Sequence, residues 1–158
     1  MVLRESNEIP GNKLALVLDE MLDSDPESPI TVGGDVLHGS KPLGVMPESR
    51  AFKLCWEHYI AHSAINESFC ALDDKQSTAS GRLVRIHTKS HFLAFVIAVT
   101  WGSEDCPGPL THVEVLCSDQ TINVAAVGLP TIRQLPVVSG EVAYEAAIGG
   151  GATIARQR

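Results

Sequence analysis

The sequence predicts an α+β fold: one domain in which a mainly antiparallel sheet of about four strands packs against two or three helices. Three observations lead there. Two alternating runs, 112–117 and 121–127, are separated by three residues, the spacing of a β-hairpin. Two other segments, near 13–22 and 90–99, combine a capping residue with apolar residues that suit a helix. The 158 residues, 44% of them apolar, show no internal repeat and no change of composition, so a single core suffices. The domain is expected to span 1–148, with 149–158 as a flexible tail.

Each element follows from its residues. Asn12 precedes Leu14, Val17, Leu18 and Met21, which recur at helical spacing, so 13–22 reads as an amphipathic helix capped by Asn12. Pro26 and Pro29 end it. Ile30-Thr31-Val32 reads as a short strand, and Gly33, Gly34, Gly39, Pro42, Gly44 and Pro47 mark a wandering connection after it. Residues 51–69 satisfy two periods at once. The helical period groups Phe52, Cys55, Trp56, Tyr59, Ile60 and Ser63, whereas period two groups Phe52, Leu54, Trp56, His58, Ile60, His62 and Ala64. Aromatic and β-branched residues tip 54–66 toward a long, bent strand.

The polar stretch 71–81 reads as a loop, and 82–88 alternates as a strand. Ser90 then caps an apolar segment to Val99, hydrophobic almost all round, which points to a buried helix; its β-branched end leaves a strand open. Pro130 and Pro136 frame an extended return. Glu141 to Ile148 forms a further short helix ended by Gly149, and Arg156-Gln157-Arg158 closes the tail.

Composition narrows the function classes. Twelve Lys and Arg against 19 Asp and Glu leave a net charge of −7, the wrong balance for gripping a phosphate backbone. Neither a bilayer-spanning apolar run nor a secretory signal is legible, so a cytoplasmic address is expected by default. Cys55, Cys70, Cys106 and Cys117 contain no CxxC spacing and read as free thiols.

The chemistry-bearing candidates are few. His58 and His62 stand four apart, as do His87 and His91, so each pair shares a side in a helix or a strand. If the pairs converged they would offer imidazoles to a divalent metal, with Glu57, Glu67 or His112 completing the set. Neither pair has the HExxH order, and the expectation is no cofactor. Cys117, at a strand end before a turn, and Cys70, near Asp73 and Asp74, are the candidate nucleophiles for Cys/His catalysis. Serine-nucleophile and phosphate-loop signatures are missing.

Binding has more support. Trp56, Phe92 and Phe95 are candidates to line a ligand pocket between sheet and helices, and Trp101 opens a Gly/Pro loop where an interface anchor would sit. The leading expectation is a non-enzymatic module that binds a protein or its own copy as a homo-oligomer, with neither nucleic acid nor membrane as partner. A small metal-dependent or Cys/His enzyme and a small-ligand binder are the alternatives.

Overall fold

The structure, a computed structural model, describes residues 1–23, 30–37, 39, 41–70, 78–103 and 105–136. In chain order its strands are β1 (Val2–Ile9), β2 (Lys13–Asp19), β3 (Leu22–Asp23), β4 (Ile30–Val32), β5 (Asp35–Leu37), β6 (Leu43–Gly44), β7 (Ala51–Trp56) and β8 (Tyr59–Asn66). A 3₁₀ turn at Glu67–Phe69 follows, then β9 (Thr78–Ser80), β10 (Val84–Lys89), the helix α1 (His91–Val99), β11 (Thr111–Leu116), β12 (Gln120–Ala126) and β13 (Thr131–Leu135). The fold is therefore mainly β, not a sheet against two or three helices. Among the described residues α1 is the one α-helix.

Two antiparallel sheets form a sandwich. One runs β1-β2-β7-β13 and the other β8-β12-β11-β10-β9. Alternation along each strand makes the core: Leu14, Leu16 and Leu18 of β2 and Leu54 and Trp56 of β7 meet Val113 and Val115 of β11 and Ile122, Val124 and Ala126 of β12. All ten side chains are buried. Glu57 and His58 carry the chain from one sheet to the other between β7 and β8, and 127–130 carry it back between β12 and β13. That end of the sandwich is tied by Tyr59 N–H donating to the Asn12 carbonyl (2.9 Å) and Val127 N–H to the His58 carbonyl (3.0 Å).

The largest correction concerns 13–22. This segment is not a helix but the strand β2, flanked by β1 and β7. Ala15, Val17 and Asp19 are buried as well as the three leucines, so both faces are covered. A strand covered on both faces reads as a continuous apolar run, which satisfies the helical period by accident. Asn12 is not a helix cap either. With Gly11 at φ +90° and Asn12 at +61°, Pro10-Gly11-Asn12 turns β1 into β2 as a hairpin. Within β1 the register slips between Leu3 and Glu5, a bulge that inserts Arg4. Arg4 Nε donates to the buried Asp19 carboxylate at 2.8 Å, so the one acid inside β2 has its counter-ion.

Other boundaries shift. The expected bent strand over 54–66 is two strands in different sheets, β7 and β8, because the chain crosses the sandwich at Glu57-His58. Within 30–49, expected to wander after its first strand, β4 pairs with β5, and β6 pairs with β3. The stretch 71–81, expected to be a loop, ends in β9, which pairs with β10. The 82–88 strand, the Ser90-capped helix, the 112–127 hairpin and the extended return at β13 lie where the residues place them. The helix expected at 141–148, the tail from 149 and the acids Asp73 and Asp74 lie outside the described residues.

Gly81 shows how tightly the β9–β10 connection is made. It sits at φ +105°, and a Cβ there would stand 2.1 Å from the Val84 carbonyl oxygen. Gly44 has no such φ and meets nothing within 4 Å. Gly81→Ala is expected to cost about 2 kcal/mol or more through strain and collision, whereas Gly44→Ala stays within about 0.5 kcal/mol. Urea unfolding midpoints of the two variants check this.

Candidate functional site

The outer face of the five-stranded sheet carries the chemistry. Cross-strand register places His87, His112, Ala125 and Ala61 in one row, and Arg85, Glu114, Asn123 and Ser63 in the next. These are the residues that alternation leaves when the intervening ones enter the core. The helix α1 lies over this face: Leu93 and Val96 pack on Ala125, with Ile60, Ala61, Phe92 and Leu110 around them.

Ser90 joins helix to sheet. Its extended backbone (φ −161°, ψ 159°) lets Oγ accept from the Leu93 N–H at 3.0 Å. The same oxygen lies 2.8 Å from His112 Nδ1, and His112 Nε2 lies 3.0 Å from Asn123 Oδ1. One proton arrangement satisfies the chain. Asn123 Nδ2 donates to Ser63 Oγ (3.4 Å), so Oδ1 accepts from His112 Nε2–H, and the bare Nδ1 accepts from the Ser90 hydroxyl.

Beside it, the buried His87 stacks on His112, ring centroids 4.5 Å apart and 16° from parallel. His87 Nε2 lies 3.1 Å from Glu114 Oε2, which is 3.5 Å from Arg85 Nη1. His87 Nδ1 is buried without a partner. Burial above all, with the neighbouring His87, pushes His112 down from 6.5 to about 4, against the pull of its Asn123 bond and of Glu114. His112 is thus a neutral structural hinge-pin at ordinary pH.

The sequence-picked residues are mostly kept apart. His58 is exposed at the β7–β8 corner, and His62 shares the inner face with Val124, its Nδ1 3.7 Å from Glu8 of β1. His87 is buried under the sheet's outer face, and His91 is exposed at the first helical position. The strand-to-helix change between them separates the second pair. Among the described residues no three His, Cys, Asp or Glu side chains gather as a metal-holding group.

Cys117 is buried, and burial with the nearby Asp119 carboxylate pushes its thiol up to about 11, away from the thiolate a nucleophile needs. Cys70 Sγ lies 3.6 Å from the Asn66 carbonyl oxygen. Trp56 is in the sandwich core, Phe92 leans on His112 on the opposite side of the sheet, and Phe95 faces solvent, so these three do not line one pocket.

No family model, curated protein or solved structure matches the chain.

What the sequence reading missed is the outward side of α1. A segment hydrophobic almost all round predicts a buried helix, yet only Leu93 and Val96 are buried. Ala94, Phe95, Ile97, Ala98 and Val99 are exposed, and Trp101 just beyond the helix is 96% exposed. The signal was present, since a nine-residue helix without a charged residue buries only one side on one sheet.

Because His112 is held neutral in the folded state, the unfolded chain binds its proton first. Its contribution to stability is complete above about pH 6.5 and is lost as pH falls through about 4. Relative to His112→Gln, the protein is expected to lose on the order of 3 kcal/mol more across that window. Denaturant unfolding of both at a series of pH values measures it.

Proposed function

We propose that this chain is a non-enzymatic association domain, a β-sandwich that presents the outward side of α1 to a protein partner, in the first place another copy of itself. The carrying observation is the continuous apolar surface of Ala94, Phe95, Ile97, Ala98, Val99 and Trp101, facing solvent on a helix fixed at its start by the Ser90–His112 bond. A contiguous apolar patch of this kind marks an interaction surface, whereas isolated exposed apolar residues do not. Complete burial of Phe95, Val99 and Trp101 would contribute roughly 1.5–3 kcal/mol each before the costs of association.

Charge supports a like partner. The six residues carry none, so this face offers nothing to steer a basic protein, and its natural complement is another apolar face. With a net charge of −7 on each copy, long-range repulsion opposes self-association, and salt screens that repulsion. Association is therefore expected to strengthen between low and high salt.

Phe95→Glu and Val99→Glu are each expected to weaken self-association by at least about tenfold, which corresponds to 1.4 kcal/mol. Sedimentation velocity over a concentration series reads this directly. Unchanged association in both variants would remove α1 from the interface.

A further inference from the structure

Every open sheet has two edge strands, and proteins guard them with charge, proline, bulges or brevity because an unguarded edge recruits another strand. Three of the four edges in this sandwich are guarded. β1 carries Arg4, Glu5 and Glu8 and is bulged at Arg4. β13 is bracketed by Pro130 and Pro136 and contains Arg133. β9 is three residues long.

β8 is different. Its eight residues, Tyr59-Ile60-Ala61-His62-Ser63-Ala64-Ile65-Asn66, include no proline and no Asp, Glu, Lys or Arg. The register irregularity opposite Ala125 and Ala126 is confined to its start, which leaves Ala61–Asn66 regularly paired with β12 on one side. Among the described residues, no strand pairs with the other side. Ala64, Ile65 and Asn66 are exposed.

We propose that β8 pairs antiparallel with β8 of a second copy about a two-fold axis, joining two five-stranded sheets into one. This inference rests on the association reading above and gives its geometry. The occupant is a second copy because the edge carries no charge from Tyr59 to Asn66, so two copies can pair along it without opposing like charges.

Face alternation then fixes the register. Residues directly opposite in an antiparallel pair point to the same side of the sheet, so a two-fold pairing must set like faces together, and its axis passes through a residue, not between two. Centring on Ser63 places Ser63 opposite its own copy. It also sets the apolar Ala61 against the partner's Ile65 and His62 against the partner's Ala64, with no like charges opposed. Both copies of α1 then lie on one surface, their seats over Ala61 about 13 Å apart along the strand. One operation thus covers both strand edges and sets the two helices on the same surface of the joined sheet.

Two measurements on the full chain decide it. In hydrogen exchange, the β8 amides that point away from β12 are expected to exchange at least about tenfold more slowly in the associated state than after dilution to monomer. In mild oxidation, Ser63→Cys is expected to form a disulfide between copies through position 63, since opposed Cα atoms in such a pair lie about 4.5–5.5 Å apart. Ile65→Cys is expected not to form one through position 65.

Slow exchange with cross-linking at 63 alone supports the pairing. Association with rapidly exchanging outward β8 amides overturns it while leaving the α1 interface intact. Slow exchange without a cross-link at 63 overturns the Ser63 register. A chain that stays monomeric at every concentration overturns both the pairing and the association reading.

Discussion

Everything else in this molecule depends on the face-to-face packing of two alternating apolar rows. Leu14, Leu16, Leu18, Leu54 and Trp56 from one sheet close against Val113, Val115, Ile122, Val124 and Ala126 from the other. Apolar burial is the dominant favourable term in folding, and the strict period of two decides where each remaining residue must go. Once Val113, Val115, Ile122 and Val124 point inward, His112, Glu114 and Asn123 have no choice but the outer face. The polar row beneath α1 is thus a by-product of core alternation, put to use as the helix's seat.

That seat is polar at one end and apolar at the other. Ser90, His112 and Asn123 hold the start of α1 through a chain of hydrogen bonds with one consistent set of protons, while Leu93 and Val96 close on Ala125. Hydrogen bonds fix direction more sharply than apolar contacts do. The helix is aimed by Ser90 and held down by Val96, which leaves Phe95 and Val99 facing out.

Legibility in the sequence follows the polarity contrast between a strand's two faces. Strands whose outward face carries polar residues, β10 with Arg85 and His87 and the β11–β12 hairpin with His112, Glu114, Thr121 and Asn123, show their alternation, and Ser90 announces α1 because a cap is a local device. The strand β2 is hidden because both its faces are apolar from Leu14 to Leu18, which leaves no period to read. The crossing at Glu57-His58 was hidden because the alternation continues through it. As for the site, spacing pairs His87 with His91, but its actual neighbours, His112 and Glu114, come from a strand more than twenty residues away. Such a contact is created by register and leaves no mark in local spacing. The exposed side of α1 is illegible for a related reason, since the spacing of an all-apolar segment does not show which side meets the sheet.

The two tryptophans divide the molecule's optical behaviour between them. Trp56 is 2% exposed in the core and Trp101 is 96% exposed beside the apolar patch. Emission from the first tracks whether the sandwich is intact, and quenching of the second by a dissolved ion tracks whether its surroundings are open to water. The integrity of the sandwich and the solvent access of the α1 surface can therefore be followed as separate signals in one unlabelled sample, with Trp56→Phe or Trp101→Phe isolating either channel.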